Sequence, residues 1–260
     1  MAKAASAWVI FCALSIACNS QQSADGGPAV PVAYPEIVRT LDHDSLAFTQ
    51  GLLWHDGFIF ESTGLRGQSS LRKINPESGE VLTSIPVRQV FAEGLAFMRD
   101  RLVQLTWQSG IALVYSYPEM QLTGTLHYEG EGWGLTVADG EFVMSNGGSV
   151  LSWRAGNFDI TRTMPVTLEG KPLERLNELE WARGYIFANV WYSDYIFQID
   201  PSSGKVVRIV NCEELVDRAG PVSEQDALNG IAWRPDTDLF YLTGKNWPHV
   251  FEVRIAPLTP

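Results

Sequence analysis

A short pattern recurs five times along the chain, and it leaves few folds open. The copies read Phe48-Thr49-Gln50-Gly51-Leu52-Leu53-Trp54, Phe91-Ala92-Glu93-Gly94-Leu95-Ala96-Phe97, Glu131-Gly132-Trp133-Gly134-Leu135-Thr136-Val137, Arg175-Leu176-Asn177-Glu178-Leu179-Glu180-Trp181 and Ala227-Leu228-Asn229-Gly230-Ile231-Ala232-Trp233. Counted at Gly51, Gly94, Gly134, Glu178 and Gly230, they lie 43, 40, 44 and 52 residues apart. Each copy runs into a turn and then a second run of β-branched and aromatic residues, such as Phe58-Ile59-Phe60 or Tyr185-Ile186-Phe187. A third run ends at Asn75-Pro76-Glu77-Ser78-Gly79 or Asp200-Pro201-Ser202-Ser203-Gly204, both strong turn sequences, and a fourth run leaves from there. Four short antiparallel strands in about 40 residues make one propeller blade. Five copies predict an all-β, five-bladed β-propeller.

The ends of the chain suit ring closure. The last copy stops after its third strand, while Glu36-Ile37-Val38-Arg39-Thr40-Leu41 precedes the first copy without a partner. The N-terminal strand is expected to close the last blade, which protects both sheet edges. The longest step holds Cys212–Ala219, expected as a short amphipathic helix inserted between the fourth and fifth copies.

Residues before the repeat have a different character. Lys3 precedes an apolar run, Ala7–Ala17, too short to cross a bilayer as a mature helix, and the run ends Ser15-Ile16-Ala17-Cys18. Small residues before a cysteine resemble a bacterial lipoprotein cleavage site. The expected organisation is a signal peptide over 1–17, a flexible tether over 18–33 beginning at a lipidated Cys18, and a propeller catalytic domain over 34–260. This describes an exported bacterial protein, a periplasm-facing lipoprotein or a secreted one, that meets a membrane only through a lipid anchor. Cys12 leaves with the leader, so Cys212 has no disulfide partner once Cys18 is acylated. With no His near it in sequence, Cys212 reads as a buried filler.

Aligned copies separate packing positions from site positions. Trp54, Phe97, Val137, Trp181 and Trp233 share one slot; always apolar, it reads as packing between blades. The slot before the glycines varies: Gln50, Glu93, Trp133, Asn177 and Asn229. Polar groups at equivalent positions must face a shared space, the central channel or its mouth. A second variable slot, closing the first hairpin, holds Gly64, Trp107, Gly147, Trp191 and, at or just beyond it, Lys245. Phe48 and Phe91 lie two residues before Gln50 and Glu93 and would wall the same space. A net charge of −11 argues against nucleic acid as a partner. The four histidines lack ligand spacing, which argues against a zinc hydrolase, and no metal ligands can be assigned. Asp42-His43-Asp44 sits in a loop before the first blade and makes a poor metal site.

The motifs FTQG (48–51), FAEG (91–94), LTW (105–107), GWGL (132–135), LNELEW (176–181), NVW (189–191) and LNGIAW…LTGKNWP (228–248) resemble those of the plant and bacterial type of glutaminyl-peptide cyclotransferase, the glutamine cyclotransferase family. The resemblance spans about residues 36–257. It implies a monomeric five-bladed propeller that acts on peptides or proteins with N-terminal Gln and forms pyroglutamate with release of ammonia. It further implies that Glu93 is the catalytic acid/base, with Lys245 and Asn177 beside it. Phe48, Gln50, Phe91, Trp107, Trp133 and Trp191 would form the substrate pocket. No cofactor is implied for the chemistry; a structural metal ion in the central channel occurs in such proteins. Two alternatives stay open on the residues alone. One is a lactonase-like hydrolase in which Glu93, Asn177 and Asn229 bind a divalent cation. The other is a non-enzymatic peptide platform of Trp107, Trp133 and Trp191.

Overall fold

In each copy the second strand carries two adjacent apolar residues, and neighbours on a strand point to opposite faces of the sheet. Both faces of every blade therefore need covering, and five such sheets cover one another only as a ring. The computed structural model describes residues 29–221 and 223–258 and shows that ring. Blade 1 is built from Thr49–His55, Phe58–Thr63, Ser70–Ile74 and Val81–Pro86, in that order from the axis outward. Blade 2 uses Ala92–Phe97, Arg101–Thr106, Ile111–Ser116 and Leu122–His127; blade 3 uses Leu135–Ala138, Glu141–Met144, Val150–Arg154 and Ile160–Pro165. Blade 4 uses Leu176–Ala182, Tyr185–Val190, Tyr195–Ile199 and Val206–Asn211. Blade 5 takes Leu228–Arg234, Leu239–Gly244 and His249–Arg254 from the C-terminal end, and its outer strand is Glu36–Asp42, antiparallel to His249–Arg254. Closure by the N-terminal strand is thus as the sequence predicts.

The core consists of five apolar clusters, one at each seam between blades. The paired residues of the second strands show how they are filled. Ile59 packs at the 5/1 seam and Phe60 at the 1/2 seam; Leu102 and Val103 divide between 1/2 and 2/3; Phe142 and Val143 between 2/3 and 3/4. Ile186 and Phe187 divide between 3/4 and 4/5, and Phe240 and Tyr241 between 4/5 and 5/1. The slot of Trp54, Phe97, Val137, Trp181 and Trp233 packs against the five seams in turn, one residue per cluster, as expected. These residues are only half-buried, because they also line a cavity at the far ends of the inner strands.

Near the axis the strands approach closely. A Cβ on Gly94 would come within 2.5 Å of the Leu135 backbone nitrogen, and one on Gly134 within 1.9 Å of the Asn177 carbonyl oxygen, so these positions admit no side chain. The fourth copy breaks the rule with Glu178. Its side chain is fully buried, and its carboxylate oxygens accept the Leu52 and Ile231 N–H groups at 3.2 and 3.0 Å. One side chain thereby ties the inner strands of blades 4, 1 and 5 together.

The inserted helix covers Glu213–Ala219, capped by Gly220 in the left-handed region at φ 62. Cys212, Leu215 and Ala219 bury into the 4/5 seam, which bears out Cys212 as a filler; burial pushes its thiol up. Residues 30–33, grouped by composition with the tether, lie along blade 4 instead. Val32–Ala33 pairs in parallel with Ile209 and Val210 at the outer edge, and Val30 packs on the 3/4 seam. The leader and the Cys18 lipidation site lie outside the described residues.

His43 is a structural clamp. Its Nε2 lies 2.9 Å from Glu61 Oε1 and its Nδ1 2.7 Å from the Trp247 carbonyl oxygen, joining blades 1 and 5. Burial pulls the imidazole pKa down, but Glu61 outweighs it and the net shift is upward from 6.5. Burial pushes Glu61 up, but His43, Arg72 and Thr49 outweigh it and the net shift is downward from 4.5. The pair contributes most to stability between those two values. Its contribution falls as pH rises through the raised His43 pKa, and also as pH falls through the lowered Glu61 pKa. Thermal melts of the wild type should show the alkaline decline above pH 6.5, and His43→Gln should remove that component. An unaltered pH dependence in the variant would contradict the clamp.

Candidate active site

The variable slots come together because the inner strands are bulged where they carry polar residues. The register to the second strand shifts between Thr49 and Gly51, Ala92 and Leu95, Leu176 and Leu179, and Leu228 and Ile231. A bulge re-aims the side chains it contains. Those residues are Gln50, Glu93, Asn177 and Asn229 with their neighbours. The second slot follows the ends of the second strands and supplies Trp107, Trp191 and Lys245. The result is a cavity of about 380 Å³ lined by Phe48, Gln50, Phe91, Glu93, Trp107, Trp133, Asn177, Trp191 and Lys245. All nine non-lipid site residues expected from the sequence meet there.

Its walls are aromatic and interlocked. Phe91 meets Phe48 edge-on at 6.1 Å and Trp107 at 5.7 Å between ring centroids; Trp133 meets Trp191 edge-on at 5.4 Å. Two glycines of the second slot make room for these rings. A Cβ on Gly64 would lie 2.5 Å from the Phe91 ring, and one on Gly147 2.7 Å from Trp133.

The polar groups are few and deeply set. Glu93 is 4% exposed, and burial pushes its carboxyl well above the usual carboxylate range; Lys245 offsets part of this and Glu131 adds to it. Lys245 is equally buried, and burial brings its ammonium down to about 8 against the opposing pull of Glu93. Its Nζ sits 4.9 Å above the Phe48 ring and 5.8 Å from that of Trp191, in cation–π contact with the wall. Asn177 Oδ1 is buried without a partner in the protein. The Gln50 Oε1 accepts a hydrogen bond from Asn229 Nδ2 at 3.3 Å, which leaves the Gln50 amide N–H groups for the cavity. Asn229 also donates to the Thr49 carbonyl oxygen and does not line the cavity. Its slot points at the shared space; its amide nitrogen holds Thr49 and Gln50, while its Oδ1 is buried without a hydrogen-bond partner.

Leu65, Tyr192 and Gln225 also line the cavity, and slot comparison does not single them out. Leu65 and Tyr192 directly follow second-slot residues and adopt left-handed backbone, φ 75 and 66, as does Asn246 after Lys245 at φ 58. The regular position after the slot was the available signal. Tyr192 stacks on Trp191 at 4.3 Å. Gln225 comes from the segment after the inserted helix, where Asn246 and Trp247 hold Asp226. The extra length of the fifth step was its only trace in the sequence.

The sequence profile of the glutamine cyclotransferase family matches residues 8–255. The chain belongs to the glutamine cyclotransferase family. Among relatives, glutaminyl-peptide cyclotransferase of Arabidopsis thaliana is 33% identical over 228 residues, covering 85% of this chain and 71% of the plant protein. The crystal structure of Myxococcus xanthus glutaminyl cyclase superposes with a TM-score of 0.83 at 38% identity, covering 88% of this chain and 99% of that one. Membership carries the five-bladed fold and enzymatic character.

A structural metal ion at this axis would have to be held by amide or carbonyl oxygens, of which Asn177 Oδ1 and Asn229 Oδ1 are buried without a hydrogen-bond partner. Among the described residues no group of three or more His, Cys, Asp or Glu side chains gathers around a point. The axial carboxylate of Glu178 already has a backbone N–H on each oxygen, and burial pushes its pKa well up. Of the trio in the hydrolase alternative, Asn177 and Asn229 each keep a buried Oδ1 without a hydrogen-bond partner, but Asn229 does not share the cavity lining with Glu93 and Asn177.

Proposed function

We propose that the chain cyclises N-terminal glutaminyl residues of peptides to pyroglutamate with release of ammonia, and that Glu93 carries the proton. The observation behind this reading is that Glu93 and Lys245, both buried, line one aromatic cavity together. The substrate α-amine nitrogen attacks the δ-carbon of its own carboxamide. The C–N bond to the amide nitrogen then breaks, and that nitrogen must leave protonated. From the neutral amine one proton has to come off the attacking nitrogen and one has to reach the leaving nitrogen, so a single carboxyl can serve both transfers in turn; a substrate bound as its ammonium gives up one proton more, which departs with the ammonia as ammonium.

The raised pKa of Glu93 suits this work. An α-ammonium group titrates near 7.7–8.0, roughly, and an ordinary carboxylate is far too weak a base to take its proton. Burial raises the Glu93 pKa and so moves acid and base toward the matched values that favour proton transfer. Lys245 and the Gln50 amide are the donors for oxygen charge developing on the carboxamide, while Asn177 Oδ1 accepts from its N–H groups. The rings hold the side chain folded over its own amine, an orientation effect of the kind that speeds intramolecular reactions. Since only the N-terminal residue takes part in the chemistry, later peptide residues should affect the rate little.

A coupled ammonia assay with a short Gln-initiated peptide tests the reading. Ammonia and pyroglutamyl peptide should form in equal amounts, and EDTA treatment should leave the rate unchanged. Peptide binding without turnover would favour the platform alternative. A rate lost to EDTA with an unchanged melting curve would favour metal-dependent chemistry.

A further inference from the structure

A carboxylate just outside the cavity grips two of its walls. Glu131 sits in the connection between Leu122–His127 of blade 2 and Leu135–Ala138 of blade 3. Its Oε2 accepts the Trp107 indole N–H at 2.7 Å and the Trp133 indole N–H at 3.0 Å, while its Oε1 accepts Gln108 Nε2 at 2.9 Å. Trp107 directly follows the second strand of blade 2 and Trp133 leads into the first strand of blade 3, so the two indoles belong to different blades. The backbone is threaded to match: Gly132 N–H donates to the Trp107 carbonyl at 3.0 Å, and Trp133 carbonyl accepts from Gly94 at 2.7 Å. Gly94 immediately follows Glu93, so the same segment abuts the reacting carboxyl.

We infer that Glu131 is a positioning residue for the cyclisation: its carboxylate locks Trp107 and Trp133 as a rigid pair across the 2/3 seam and places a fixed negative charge near Glu93. The inference rests on the cyclase reading of the Glu93 pocket. Two charge-assisted bonds to one oxygen fix both ring planes, and such bonds are about twice as strong as neutral ones. The ring edges that lean on Phe91 and Trp191 then cannot swing. Burial of Glu131 pushes its pKa up, but the three donors outweigh this and hold it below the usual value, so it stays anionic throughout the working range. The titratable groups that act on Glu93 are Lys245, which favours its ionised form, and Glu131, which opposes it; Tyr128 lies within the field of Glu93. Removing the Glu131 charge should therefore move the Glu93 titration toward acid. Both oxygens of Glu131 are occupied by the indoles and Gln108, which makes it a support for the wall rather than a ligand for substrate.

Glu131→Gln and Glu131→Asp, assayed on the full chain, separate the two effects. The Gln variant should lose about tenfold or more in kcat/KM, as expected when a wall shifts by a fraction of an ångström. The acid limb of its pH–rate profile should move to lower pH. The indole N–H resonances of Trp107 and Trp133 should shift in ¹⁵N-edited spectra. The Asp variant keeps the charge but is one methylene short; its acid limb should return to the wild-type position while both indole resonances remain displaced. A folded Gln variant with wild-type kcat/KM and unmoved indole resonances would overturn the assignment. So would rate losses that merely track a lowered melting temperature in both variants. Wild-type protein that released no ammonia would sink the cyclase reading instead, and the indole resonances would still report whether Glu131 holds the wall.

Discussion

Glu93→Gln should cut ammonia release from a Gln-initiated peptide by at least about a hundredfold while leaving the propeller folded. General acid–base catalysis by one positioned group contributes about 10²–10⁴ in rate, and among the described residues no other carboxyl lines the cavity. The amide matches the carboxyl in shape, so the aromatic walls should be undisturbed. It also removes a group whose ionised form is disfavoured by burial, so the melting temperature should hold or rise. The pH–rate profile gives a second, independent reading. In the wild type, kcat/KM should rise with pH through an acid limb above the ordinary carboxylate range, and the residual activity of the variant should lack it. Near-normal turnover by a folded Glu93→Gln variant would remove Glu93 from the chemistry.

Lys245→Met should be nearly as damaging, with a loss of roughly 10²–10³ in kcat, the usual effect of deleting one preorganised donor to a developing oxyanion. The direction of the pH effects is specific. Burial holds the Lys245 ammonium at about 8, so the cation needed for catalysis is lost as pH rises through that value, and the wild-type rate should fall there. The Met variant should show no limb from this source. Because Lys245 also pulls the Glu93 pKa down, the acid limb in the Met variant should move to higher pH. Lys245→Arg keeps a charge that does not titrate in this range, so its alkaline limb should move up even where the rate is reduced. An alkaline limb that stays near pH 8 in the Met and Arg variants would assign it to the substrate amine.

The two predictions share a cause. A carboxyl and an ammonium are held in the same aromatic cavity, and burial moves the two pKa values toward each other. That narrows the gap between the carboxyl and the ammonium and lowers the cost of moving a proton at the site. A surface ion pair of the same residues would lack this property, since solvent would keep both pKa values near their ordinary positions.

Much of the ring could be read from the chain because each blade repeats one chemical instruction. The copies at Gly51, Gly94, Gly134, Glu178 and Gly230 mark the inner strands, and the unpaired strand before the first copy marks the closure. Site residues showed up where equivalent positions differ, since a slot that varies in polarity cannot be part of a repeating core. The limits have physical reasons too. Asn229 occupies the same slot as Glu93 and Asn177, yet its amide nitrogen turns to Thr49 and Gln50, which lie 180 and 179 residues away in sequence. Glu131 stands in the third copy where the first two copies have Phe48 and Phe91, and its partners come from two blades, which no comparison of slots reveals. Gln225 reaches the cavity only through the inserted segment.

The sequence by itself determined the blade count, the closure and the set of polar residues that share one face, because strand periodicity and repeat register are properties of neighbours along the chain. Only the tertiary structure decided what those residues do to one another. Bulges in the inner strands aim Gln50, Glu93 and Asn177; Gly64 and Gly147 admit the rings of Phe91 and Trp133; burial shifts Glu93 upward and Lys245 downward. Aim, clearance and desolvation all depend on distances between blades, and those distances are set when the ring closes.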